Sequence, residues 1–139
     1  MAQLQRAVAT LRVMGDDLDP GEVSALLGAV PTISQVKGQE LKSRSIGRLR
    51  TALTGMWRLD ATVTEPEDLD SQVLELLSKL TSDLIVWRGI KERYEVDLFC
   101  GWFMDRDNVG VEINPATLQA LGERGIRLSL DIYGSDTRA

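Results

Sequence analysis

Tyr94-Glu95-Val96-Asp97-Leu98-Phe99-Cys100-Gly101-Trp102-Phe103-Met104 is the stretch on which the fold turns. Successive side chains of an extended strand leave opposite faces. Val96, Leu98, Cys100, Trp102 and Met104 therefore share one face, and Asp97, Phe99, Gly101 and Phe103 share the other. The first set is a core face, on which Cys100 reads as a small buried hydrophobe rather than a nucleophile. The second set carries two large aromatics beside a carboxylate. Either this strand is central and covered on both sides, or its second face is an accessible aromatic surface.

Three segments elsewhere in the chain decide between these readings. Ala7–Met14 alternates Ala7, Ala9, Leu11 and Val13 with Thr10 and Arg12, and Gly55–Val63 alternates Trp57, Leu59, Ala61 and Val63 with Arg58 and Asp60. Ile126–Tyr133 sets Arg127, Ser129, Asp131 and Tyr133 on its polar side. Period-2 alternation of this kind marks half-buried strands, whose second face suits water. Assembled into one sheet, the four segments present Arg12, Arg58, Asp97, Phe99, Phe103, Asp131 and Tyr133 together. Arginine and aromatic residues in one patch are the composition that binding hot spots favour.

Between the strands lie helices with readable starts. Asp19 before Pro20 supplies a capping oxygen and a residue pre-set for the first turn, with Val23, Leu26 and Leu27 as the buried stripe and Gly28 as the stop. Glu65-Pro66-Glu67-Asp68 opens a second helical region, where Leu69, Val73, Leu76, Leu80, Leu84, Trp87 and Ile90 recur every three or four residues. Thr81-Ser82 is a natural point for that region to split in two. Asn114-Pro115 opens the last helix. Thr32–Val36 reads as a weak strand, and Val109–Ile113 as a strand forming a hairpin with the Phe99 strand. The predicted fold is α+β: a mostly antiparallel sheet of five to six strands with helices packed on one face. The Asp19-Pro20 start echoes Asn114-Pro115, which two related halves would explain and which the capping rule alone also explains.

A chain of 139 residues is predicted to form a single domain spanning 1–139. It contains no histidine, which removes the commonest general base, the commonest transition-metal ligand and every Ser-His-Asp or Cys-His arrangement. No catalytic residue, cofactor site or metal site is assigned. Asp105-Arg106-Asp107-Asn108-Val109-Gly110 resembles the start of a calcium loop, but Ala116 stands where the bidentate carboxylate belongs, so a solvated turn is the reading. Asp16 and Asp17 suit a turn in which their carboxylates accept backbone N–H bonds.

The net charge of −5 is unevenly spread. Lys37 to Arg58 holds six basic residues against Glu40 alone, leaving the rest of the chain with ten basic and twenty acidic residues. A surface so acidic elsewhere argues against nucleic acid as a partner. The basic stretch at about 37–54 has no clear period and is predicted to be a long loop, in which Lys37, Lys42, Arg44, Arg48 and Arg50 offer donors to an anion or an acidic protein. One cysteine cannot form an internal disulfide, and no apolar run approaches the roughly 20 residues a membrane span needs. A cytoplasmic protein without membrane contact is expected.

The run Asp97-Leu98-Phe99-Cys100-Gly101-Trp102-Phe103, followed by Ile113-Asn114-Pro115, Leu121 and Leu130-Asp131-Ile132-Tyr133, resembles a bacterial family of uncharacterised function, domain of unknown function 4279. Leu11 through Pro20, the Pro31-Thr32 and Lys37-Gly38 pairs and Gly55-Met56-Trp57 fit the same pattern, so the resemblance spans nearly the whole chain. Arg106, Asp107 and Val109 depart from the glycine-rich hairpin that the pattern has after Phe103. The resemblance implies one domain and brings no reaction, ligand or catalytic residue. The leading expectation is a non-enzymatic protein-binding module using the open sheet face, an inhibitor or immunity-type partner being one form such a module takes. The alternative is a binder or enzyme for a small anionic metabolite, held by Arg12, Arg58 and Asp131 in a cleft. A homodimer formed through edge strands or sheet faces is the third expectation.

Overall fold

The computed structural model describes residues 6–42, 48–104 and 109–134. Its elements run β1 (Arg6–Gly15), α1 (Pro20–Leu27), β2 (Ile33–Gln35), β3 (Glu40–Lys42), β4 (Leu49–Thr51), β5 (Gly55–Asp60), α2 (Leu69–Ser78), α3 (Leu84–Arg93), β6 (Glu95–Phe103), α4 (Pro115–Glu123) and β7 (Arg127–Tyr133). Five strands form one sheet in the order β2-β5-β1-β6-β7, and β3 and β4 form a separate two-stranded ribbon. The architecture is α+β and mostly antiparallel, as the alternation predicted.

β1 and β6 are the central strands, paired antiparallel with Leu11 opposite Leu98 and Ala9 opposite Cys100. Their apolar faces, together with Trp57 and Leu59 of β5, form the floor of the core. Val23 and Leu27 of α1, Val73 and Leu76 of α2, Trp87 and Ile90 of α3 and Leu121 of α4 close it from the helix side. Of the three buried tryptophans, the two that are fully enclosed keep their indole donors satisfied, Trp57 Nε1 donating to Ser24 Oγ at 3.0 Å and Trp87 Nε1 to the Thr81 carbonyl at 2.8 Å, whereas Trp102 Nε1 has no partner among the described residues. Gln72 is buried among these residues and donates to the carbonyls of Ala7 and Thr62. It thereby ties α2 to the strand ends it covers.

Several expectations are corrected. Val109–Ile113 forms no strand; Val109, Val111 and Ile113 pack half-buried against the core instead, so their alternation records one-sided burial without a ladder. The chain then passes through α4 and returns as β7 parallel to β6, with Phe99 beside Ser129 and Phe103 beside Tyr133. A parallel neighbour requires such a crossover, and a tight hairpin cannot supply one. Stretch 37–54 is not simply a loop, because Glu40–Lys42 pairs with Leu49–Thr51. β5 ends at Asp60, leaving Val63 exposed. Leu26 and Leu84 also face solvent, so the buried stripes are narrower than the spacing suggested.

Helix starts follow the local capping rule where a side chain can reach. Asp19 accepts from Gly21 N, and Asp68, not Glu65, begins α2 by accepting from Ser71 N. The helical region splits where Thr81-Ser82 predicted it, and Asp83 caps α3 through Ile85 N. Asn114 makes no capping bond. Asp70 of α2 reaches across instead, accepting from Asn114 N at 3.1 Å and from Thr117 Oγ1 at 2.6 Å. The two similar helix starts lead to different pairings: β1 and β2 flank β5, whereas β6 and β7 are direct neighbours.

Candidate functional site

All four helices contribute their buried side chains to one face of the sheet, and the other face carries the polar halves of the alternating strands. Arg12 on β1 stands directly beside Arg58 on β5 and Asp97 on β6. Asp131 and Tyr133 extend the surface onto β7. Strand pairing thus brings all seven predicted residues onto one face of the sheet, each held by a sheet position rather than a loop, but Asp97 is buried there and is not part of the accessible surface.

The arginines are already engaged. Arg12 clamps Asp97 in a two-pronged ion pair, Nε to Oδ1 at 2.8 Å and Nη2 to Oδ2 at 2.6 Å. Ser129 Oγ donates a third bond to Asp97 at 2.9 Å. The Asp97 side chain is only 5% exposed and the Arg12 side chain 26%. Parallel guanidinium-carboxylate bonds are charge-assisted and geometrically specific, which allows a carboxylate to sit this deep. The hydrogen bond to Asp97 raises the Arg12 pKa, an effect that burial opposes. The same guanidinium lies 4.4 Å from the centre of the Phe99 ring, so its face stacks while its edge bonds.

Arg58 is held less completely. Its Nε is 3.2 Å from Asp60 Oδ1 without hydrogen-bond geometry, and that buried nitrogen has no hydrogen-bond partner among the described residues. Asp60 meanwhile accepts from Thr10 Oγ1 at 2.9 Å. Arg58 is therefore charge-paired but retains a donor.

Toward the other end of the face, Phe103 and Tyr133 stack with ring centres 4.7 Å apart and planes 7° from parallel. Both rings lean over Gly101, where an added Cβ would meet them at 3.6 and 3.8 Å. The Arg6 guanidinium lies 4.9 Å from the centre of the Phe103 ring. Asp131 accepts the Tyr133 hydroxyl hydrogen at 2.8 Å, which raises the phenol pKa. Between the Arg12 and Phe103 groups lies a shallow concavity of about 380 Å³, floored by Thr10, Gly101 and Phe99. Val8 and Met56 add to its lining, and neither they nor Arg6 are among the seven residues expected to form the binding face. Even-numbered positions of β1 and β5 were the available signal, since they continue the face of Arg12 and Arg58.

The basic cluster is separate from this surface. Lys37 pairs with Asp16 at 3.2 Å, both side chains being exposed. Lys42, Arg48 and Arg50 lie exposed in and beside the β3–β4 ribbon, and Arg44 lies outside the described residues. None of them lines the concavity. Cys100 is fully buried on the opposite face of β6, and burial pushes its thiol up to about 12. Such a thiol is an inert packing group. Among the described residues, no cluster of carboxylates and cysteine has the size or arrangement of a metal site. No helix there is long and apolar enough to cross a membrane.

The sequence profile of the family described as "Domain of unknown function (DUF4279)" matches residues 4–135. No curated protein and no solved structure matches the chain.

Proposed function

The chain belongs to the DUF4279 family, whose description names no activity, and from the chain's own geometry we propose a non-enzymatic protein-binding module that docks its partner on the open sheet face. The observation that carries this reading is the pre-formed aromatic and arginine platform: Arg12 stacked on Phe99, and Phe103 stacked on Tyr133, on adjacent strands of one sheet. Rigid aromatic anchors lose little conformational entropy on association, and side chains fixed before contact lower the cost further. Internal pairing of Arg12 with Asp97 also supports protein over metabolite. A small anion would have to displace a deeply seated carboxylate to reach that guanidinium. The concavity is shallow, whereas small-molecule sites enclose most of their ligand.

A bacterial cytoplasm suits the single, buried, reduced Cys100, and an inhibitor or immunity-type role is one use of such a surface. The test is a complex reconstituted from the purified chain and a protein recovered with it from native extract. Phe103→Asp and Tyr133→Ala are expected to weaken binding at least tenfold each, about 1.4 kcal/mol or more. Wild-type affinity in both variants would place the interface elsewhere. Thermal-shift screening of nucleotides and phosphorylated metabolites addresses the alternative: a saturable rise in Tm, abolished by Arg58→Met, would favour an anionic ligand instead.

A further inference from the structure

We propose that β7 is a homodimerisation edge, pairing antiparallel with β7 of a second copy about a two-fold axis through Ser129. β7 ends the sheet order, so one of its edges has no strand beside it among the described residues. Tyr133 O accepts from Met104 N at 3.0 Å, which fixes which backbone groups are outward. Residues 127, 129, 131 and 133 turn their amides toward β6, and Leu128, Leu130 and Ile132 turn theirs away. An edge offering unpaired amides is a template for another strand unless proline, lysine or a bulge blocks it. Arg127–Tyr133 contains neither proline nor lysine and pairs with β6 in unbroken register.

Side chains select both the occupant and the register. Antiparallel pairing centred on Ser129 puts Arg127 opposite Asp131 of the second copy, and by symmetry Asp131 opposite Arg127. On the helix side it puts Leu128 opposite Leu130 and Ile126 opposite Ile132. Directly opposed pairs of these kinds are the stabilising units of a sheet. Moving the axis to Leu130 sets Arg127 against Tyr133 and Ser129 against Asp131, which loses both ion pairs. Arg127 and Asp131 are exposed, and Arg127 has no ion pair among the described residues. Leu130 and Ile132 are 43% and 52% exposed, unusually open for apolar residues on a core-side face. The pairing satisfies the outward amides, compensates the charges and covers the leucine and isoleucine with the same chemistry from the other copy.

The assembly is a continuous ten-stranded sheet with both aromatic platforms on one side. With one strand from each copy, the interface is at the small end for stable complexes, so the dimer dissociates on dilution. Sedimentation equilibrium on the full chain provides the test. Wild type is expected to move from 15.4 kDa toward twice that mass as concentration rises to about a millimolar. Arg127→Asp and Asp131→Arg each set like charges opposite one another and are expected to raise the dimer Kd at least tenfold, while the double exchange Arg127→Asp with Asp131→Arg restores association. Leu130→Pro removes an outward donor without removing a bond to β6 and is also expected to yield monomer, with circular dichroism confirming the fold. A wild-type chain monomeric throughout, a dimer indifferent to the charge reversals, or a double exchange that fails to recover would each overturn the proposal. These outcomes need no second protein, so they stand apart from the proposed docking function.

Discussion

Removing Arg12 should destabilise the chain far more than removing a surface arginine, because it strands a buried carboxylate. Asp97 keeps only the Ser129 bond once the two guanidinium bonds are gone. Breaking a buried pair from one side costs roughly 3–5 kcal/mol. Water already reaches the 26% of the Arg12 side chain that is exposed, so the low end, about 3 kcal/mol, applies to Arg12→Met. With a urea m-value of roughly 2 kcal/mol per molar, the unfolding midpoint falls by about 1.5 M at unchanged slope. Arg12→Lys recovers only part of that loss, since an ammonium cannot form the parallel pair. The decisive variant is the double substitution Arg12→Met with Asp97→Leu, which leaves no charge to strand. It should lie within about 1 kcal/mol of wild type, so the two single losses together exceed the double's by at least about 2 kcal/mol, the coupling between the positions. If the two single losses simply add to within about 0.5 kcal/mol, the pair is not a unit and the reasoning fails.

Gly55 and Gly89 should respond oppositely to alanine. A Cβ at Gly55 would lie 2.7 Å from the Gly15 carbonyl oxygen and 2.9 Å from Leu18 Cβ, so Gly55→Ala should cost roughly 1–3 kcal/mol in denaturant titration. Gly89, within α3 and with open space around it, should gain roughly 0.5–1 kcal/mol. Glu67 is buried, and desolvation raises its pKa above the ordinary 4.5 against the pull of the Leu69 backbone N–H. Its charged form therefore disfavours the fold; the penalty is absent below the unfolded pKa and complete once pH exceeds the folded one. Glu67→Gln should raise Tm at pH 7 and lose that advantage below about pH 4, and a pH-independent change would contradict this. Native Cys100 should resist thiol reagents at pH 7, because a pKa raised from 9.0 to about 12 alone cuts the thiolate about 10³-fold. Rapid labelling without denaturant would show that β6 opens readily.

Alternation is a local property, and it settled which side chains of β1, β5 and β6 enter the core. Leu11, Trp57, Leu98 and Cys100 are buried where a period of two put them, and Arg12, Arg58 and Phe99 face the other way. The caps at Asp19 and Asp83 are equally local, each carboxylate reaching an amide two residues on. Sequence by itself therefore determined the α+β class, the helix starts with nearby oxygens and the residues of the open face. Tertiary structure alone decided what meets what. Arg12 and Asp97 are 85 residues apart, and Asp70 binds the start of a helix 44 residues away. The parallel placement of β7 beside β6 arises because the segment from Val109 to Ile113 packs against the core instead of pairing. Strand order and register are set by the whole set of faces that must be buried at once, and no single segment carries that information.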